Sequence, residues 1–248
     1  MRYKKVGCYV GHNLSYSMRF LKVILDKNIE IEFIAGEKSN LIYPIIEKLI
    51  KNKPSLFSEK KPWLNNQFSK ILKKDILGIN CGFGYIIPKK IINLHDIINM
   101  HPSALPFNRG CHHSFWGIME STPLGATLHF MDTGLDTGPI IQKKTFLDDG
   151  EMNANEIQNI SNQYCVDLLN ENLIKIMKGD FSMTPQGKGT YHSKSEIITE
   201  STLSYSDKIN ISKLFDICRA TNNKNNGFIV DKFGEKFKII ISSIEKIN

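Results

Sequence analysis

The chain has 248 residues, 41% hydrophobic and 23% charged, with a formal net charge of +7. That is enough chain to bury a sizeable core, as one large domain or as one domain with a small appendage. The five cysteines are widely spaced and form no CxxC, which excludes a disulfide framework and a cysteine-based zinc site, and no apolar run reaches membrane-spanning length.

In chain order, MRYKKVGCYVG enters an apolar run too short for a signal-peptide core, so a cytoplasmic protein with reduced thiols is the expectation. Residues 4–11 read as a buried strand ended by Gly. A helical pattern follows, with Met18, Leu21, Val23, Ile24 and Leu25 on one broad face. IEIEFIAG is a second strand, so the opening is β-α-β and favours a parallel sheet with covering helices. Residues 41–52 predict a helix, and the Pro-broken PSLFSEKKPW predicts a surface loop. FSKILKKDILGINCGFGYII predicts a short helix leading into a buried strand, and residues 94–100 another strand. HSFWGIMEST is helical; PLGATLHFMDTG and PIIQKKTF are strands.

Residues 154–178 predict the longest helix. Asn153 with Glu156 forms a capping box at its start, while Lys175, Lys178 and Gly179 suit its end. Beyond residue 180 the chain turns polar, then predicts a helix at 212–220 and a hairpin in GFIVDKFGEKFKIIISSI with its turn near Gly234-Glu235.

Several stretches can carry chemistry. In INMHPSALPFNRG, strand alternation puts Asn99 and His101 on one face, at the carboxyl end where open α/β sheets bind ligands. An imidazole carries a proton near neutral pH, and an amide donates to a developing oxyanion. A capping Asn with a solvated His explains the same spacing equally well. MDTGLDTGPII holds Asp132 and Asp136 among glycines that permit tight turns, or it is a plain acidic turn. GINCGFGYIIP lacks the GK[ST] of a P-loop and reads first as close packing at a strand end. VGHNLSYS, with His12 and Asn13, occupies the first strand-to-helix turn, where such folds receive phosphate. Cys111, His112 and His113 are adjacent and have no partner pair at ligand spacing, so no metal is expected. The basic balance favours anionic partners, yet no block of five like charges occurs.

Together, NMHPSALP and GATLHFMDTGLDTGPII resemble, in order and spacing, the folate-dependent formyltransferase family over roughly residues 1–180. The resemblance implies a Rossmann-like α/β core with a mostly parallel sheet, followed by a short C-terminal extension, residues 181–248, with a helix and β-hairpin that helps make a homodimer. It implies Asn99, His101 and Asp136 as the catalytic trio. It implies N10-formyltetrahydrofolate as co-substrate, held by Phe83, Gly84, Tyr85 and Ile86 on one side and by Asp132 and Gly134 on the other. FNRGCHHSFW resembles the sugar-nucleotide branch, which implies Asn108, Arg109 and Gly110 at a dTDP-amino sugar, with Lys194 of TYHSKSE at its diphosphate and His12 and Asn13 as further substrate contacts. The acceptor expected on that likeness is dTDP-4-amino-4,6-dideoxyglucose, for a surface polysaccharide such as an O-antigen, with no nucleic acid or membrane as partner. A methionyl-tRNA enzyme would carry a C-terminal barrel of roughly a hundred residues, and only a helix and hairpin are expected here. A dTDP-3-amino sugar, a formyl-folate hydrolase and an inactive basic nucleic-acid-binding protein are the other readings.

Overall fold

The computed structural model describes residues 1–222 and 227–240. The elements run β1 (Lys5–Val10), α1 (Leu14–Asp26), β2 (Ile31–Ala35), α2 (Ser39–Ile46), β3 (Ser55–Phe57), α3 (Phe68–Ile71), β4 (Ile76–Cys81), α4 (Lys89–Ile92) and β5 (Ile97–His101). They continue with β6 (Arg109–Gly110), α5 (His113–Met119), β7 (Leu124–Phe130), β8 (Ile140–Phe146), α6 (Ala154–Lys178) and β9 (Tyr191–His192). Last come α7 (Glu196–Glu200), β10 (Thr202–Ser204), α8 (Ile211–Thr221), β11 (Phe228–Lys232) and β12 (Glu235–Ile239).

The central sheet has the order β3-β2-β1-β4-β5-β7-β8. β1 pairs in parallel with β2 and β4, and β4 with β5. β7 pairs with β5 antiparallel. This is the mostly parallel sheet that the β-α-β opening favoured, in the Rossmann-like core that the resemblance implied. The order doubles back after β3, so the carboxyl ends of β1 and β4 lie side by side at the point where such sheets build sites.

The chain divides into two compact units. One comprises residues 1–101, 127–143 and 165–186; the other comprises 102–126, 144–164 and 187–248. In the first, Tyr9, Phe33, Phe57, Phe68, Phe83 and Ile97 form a buried aromatic-aliphatic cluster beside the sheet. Tyr9 and Phe33 meet edge to face at 5.5 Å, and Phe57 and Phe68 at 4.9 Å. In the second, Phe115, Trp116, Leu124, Ile157 and Ala220 pack together. Trp116 stacks flat on His192 at 3.8 Å, and Arg219 of α8 pairs with Asp148 at 2.8 Å and Asp216 at 2.9 Å.

Helix α6 starts and stops as expected. Asn153 N–H donates to Glu156 Oε2 at 2.8 Å, and Glu156 N–H to Asn153 Oδ1 at 3.1 Å, closing the capping box. Gly179 follows with φ 85°.

The expected loop 54–63 contains β3, an edge strand pairing Phe33–Ala35 with Ser55–Phe57. β10 was not anticipated either; it adds to β11 in parallel. The hairpin β11–β12 turns through Phe233 (φ 54°) and Gly234 (φ 91°), one residue earlier than expected, with Lys232 opposite Glu235. Two central residues at positive φ suit a two-residue hairpin turn. The end of FKIIISSI, residues 241–244, lies outside the described residues.

Candidate active site

β5 ends at His101, with Asn99 and His101 on one strand face and Met100 on the other. Register across the antiparallel pair sets Asn99 opposite His129 and His101 opposite Thr127. The turn after β7 brings Asp136 back to the same place. Asn99 Nδ2 donates to Asp136 Oδ1 at 3.3 Å, and His101 Nδ1 lies 3.6 Å from Asp136 Oδ2. The three residues that the resemblance implied as a trio therefore converge on one spot.

Asp136 sits at φ 53°, in the left-handed region that few side-chain-bearing residues adopt. The turn around it is tightly built. Asp132 Oδ1 accepts from Gly134 N–H at 3.0 Å and from Thr137 Oγ1 at 2.6 Å. A side chain at 138 would meet Phe130 O at 1.8 Å, so only Gly fits there. Gln186 Nε2 donates to Asp136 O at 2.8 Å and to Gly138 O at 2.7 Å.

His129 is a member of this cluster that the sequence reading passed over. It is fully enclosed, and burial first of all lowers its pKa to about 4, with the Asp136 charge pulling upward and His101 pushing down. Neutral His129 lies 2.9 Å through Nδ1 from Phe130 O, which places its proton on Nδ1 and leaves Nε2 as an acceptor. Asn99 Nδ2 lies 3.2 Å from that Nε2. The orientation of the Asn99 amide follows from this, because both neighbours, His129 Nε2 and Asp136 Oδ1, need a donor. The only signal in the sequence was the alternation of β7, which gives a face and not a partner.

The folate-side expectations divide. Phe83 N–H donates to Asn80 Oδ1 at 2.7 Å and its ring is buried among Tyr9, Trp63 and Tyr85, so Phe83 anchors the segment instead of facing a ligand. Gly84 has open space where a side chain would stand, and Ile86 is 71% exposed. Tyr85 OH is 2.9 Å from His12 Nε2, and His12 Nδ1 is 3.1 Å from Glu37. Asp132 and Gly134 shape their own turn, as above. A cavity of about 360 Å³ is lined by Ile92, Asn93, Phe130, Met131, Asp132 and Thr133, among others, with none of 83–86 in its wall.

On the acceptor side, Asn13 caps α1 by accepting from Tyr16 N–H at 3.1 Å. Asn108, at φ 58°, is buried and tied to Thr122 at 2.7 Å and Thr190 at 2.8 Å. These bonds hold it in the turn. Arg109 donates to Gly187 O at 3.1 Å, and Gly110 is required by His192 O, 2.4 Å from where a Cβ would stand. Lys194 remains exposed beside His112. Among the described residues no cluster of three or more His, Cys, Asp or Glu is placed to hold a metal, and no helix is long and apolar enough to cross a membrane.

Comparison with known proteins places this geometry in context. Residues 44–164 match the formyl transferase family model, just under half of the chain. The methionyl-tRNA formyltransferase of Thermodesulfovibrio yellowstonii is 31% identical over 162 residues, 63% of this chain and 53% of that protein. The chain thus spans about half the length of the curated relatives it matches. Among solved structures, a 4-N formyltransferase from Francisella tularensis superposes with a TM-score of 0.80 at 22% identity, over 99% of this chain and 100% of that one. An N-formyltransferase from Helicobacter canadensis, in complex with folinic acid and dTDP-3-aminofucose, gives 0.69 at 20% identity, over 94% and 85%. At these identities the structural likeness speaks for the fold. Residues 44–164 thus belong to the formyl transferase family, and the chain around them is folded as sugar N-formyltransferases are.

Proposed function

We propose that the protein moves the formyl group of N10-formyltetrahydrofolate onto the amine of a dTDP-linked amino-dideoxyhexose, with dTDP-4-amino-4,6-dideoxyglucose as the first acceptor to test. The convergence of Asn99, His101 and Asp136 carries this reading. The neutral amine attacks the formyl carbon. A C–N bond forms, the carbonyl oxygen becomes an oxyanion, and the bond to N10 then breaks as N10 takes up a proton. Protonated His101 and the Asn99 amide stabilise the oxyanion. Both Asn99 amide protons are engaged in this structure, and the longer contact, to Asp136 at 3.3 Å, is the one a formyl oxygen replaces. His129 then keeps the amide correctly turned. Asp136 orients His101, stabilises its charge and helps move the amine proton through water.

Gly84, Tyr85 and Ile86 are the proposed pterin contacts, supported by the open space at Gly84 and the exposed Ile86. Lys194 and Arg109 are the proposed diphosphate contacts. The segment 181–248 is the proposed dimerisation extension, supported by Phe237, Ile239 and Ile240 standing 47%, 37% and 54% exposed on β12 and just beyond it. A surface polysaccharide is the proposed destination of the product.

A second reading rests on the methionyl-tRNA formyltransferase relatives, and a third on the dTDP-3-amino sugar of the Helicobacter canadensis neighbour. One assay separates them. The protein is incubated with N10-formyltetrahydrofolate and, in parallel, 3- and 4-amino dTDP- and UDP-sugars and methionyl-tRNA, and products are weighed by mass spectrometry. A mass gain of one formyl group on a 4-amino dTDP-sugar is the expected result. No formylated sugar from any panel member removes the proposal.

A further inference from the structure

We propose that Gln186 is a positioning residue for Asp136, holding its carboxylate at Asn99 and His101; this rests on the formyl-transfer reading above. One amide NH₂ spans two carbonyls of the same turn, Asp136 O at 2.8 Å and Gly138 O at 2.7 Å. The residue between those carbonyls, Thr137, is held from the other side by Asp132 at 2.6 Å. Asp136 is the residue at φ 53°. A side-chain-bearing residue persists in that conformation only where its surroundings over-determine it.

Gln186 is itself located by backbone. Ile140 and Thr184 exchange two hydrogen bonds, each 2.8 Å, which fixes the chain two residues before Gln186 against the exit of the turn. On the other side, Phe130 N–H donates to Pro139 O at 3.0 Å. The turn is thus pinned at its entry and exit by backbone, and at its crest by Gln186 on the carbonyls of Asp136 and Gly138 and by Asp132 on Thr137. Removing the Gln186 donors frees the crest to relax out of the left-handed region. The Asp136 carboxylate then withdraws from the 3.3 Å and 3.6 Å contacts it makes with Asn99 and His101. Misplacement of a catalytic group by about 1 Å costs on the order of 100-fold in rate.

The test uses Gln186→Ala and the isosteric Gln186→Glu, which keeps the packing and removes both donors. Turnover, binding of 5-formyltetrahydrofolate and hydrogen exchange of the 131–139 stretch are measured on each. The expected result is a kcat about 10- to 100-fold lower, folate affinity within threefold of wild type, and faster exchange confined to 131–139. Unchanged kcat in an active enzyme overturns the proposal, as does unchanged exchange in 131–139 or exchange raised evenly over the chain. If the wild-type protein transfers no formyl group, the function proposed above fails, and the exchange of 131–139 alone decides the role of Gln186. If the Ala variant does not fold, the Glu variant decides.

Discussion

If Asn99, His101 and Asp136 act together in the proposed transfer, each is expected to be indispensable. His101→Ala and Asp136→Asn are predicted to lower turnover by at least about 1,000-fold with thermal midpoints close to wild type; wild-type-like rates in both would sink the assignment. His129 touches Asn99 from one step back. His129→Leu removes the acceptor that turns the Asn99 amide, and a loss of about 10- to 100-fold in kcat is expected, with the folate KM little changed. That Asn99, His101 and Asp136 come together was legible because they are few, polar and set at strand ends, and because their order resembles that of a known family. His129, Gln186 and Asn80 were not. A neutral buried His and a Gln bridging two carbonyls are defined by what they touch across 30 and 50 residues of sequence, which spacing does not encode, and the Asn that pins Phe83 acts across three residues, a contact that carries no motif of its own. Asn108 and Phe83 each stand in a motif-like stretch and are engaged with the protein's own turn or core.

Local chemistry decided which elements could be read. Helix α6 was legible at both ends because its capping box and its terminal Gly are local features. β3 and β10 are three-residue edge strands whose existence depends on a neighbour, Phe33–Ala35 and Ile229–Asp231 respectively. Such segments carry too little pattern of their own. The joint between α8 and the β8–α6 connection was equally silent. Arg219 there is buried, with Asp148, Asp216 and Met152 O all within 3.0 Å of its guanidinium. Arg219→Ala strands two carboxylates and a carbonyl, and about 3 kcal/mol of stability is expected to be lost, read as a lower urea midpoint; an unchanged midpoint would show the joint to be idle. On β12, self-association through its exposed apolar side chains predicts a dimer at micromolar concentration by sedimentation, and Phe237→Asp is expected to give a monomer. A wild-type monomer counts against that part of the proposal.

Over the whole molecule, buried neutral histidines set an acid limit. Burial lowers the pKa of both His95 and His129 to about 4, against an unfolded value of 6.5. Between those values the unfolded chain binds protons that the folded chain refuses, so stability rises with pH. The contribution is fully present above pH 6.5 and falls as pH drops towards 4. Each histidine accounts for on the order of 3 kcal/mol at the acid end. Chemical denaturation at pH 7, 6, 5 and 4 is expected to show this slope, and His95→Phe, which also gives up the 2.7 Å bond to Tyr9 OH, is expected to flatten it. An equal slope in that variant would remove His95 from the account. The antiparallel pairing of β5 and β7 has a consequence for how such chains can change length. Asn99 faces His129 only because five residues separate Leu124 from Phe130 in an unbroken strand. A single deletion within Gly125–Leu128 would present Phe130 to the amide and turn every later side chain to the opposite face. Insertions and deletions compatible with the proposed formyl transfer must therefore fall outside β7, and strand length there is a measure by which diverged copies of this chain can be sorted into those that keep the Asn99–His129 pairing and those that have lost it.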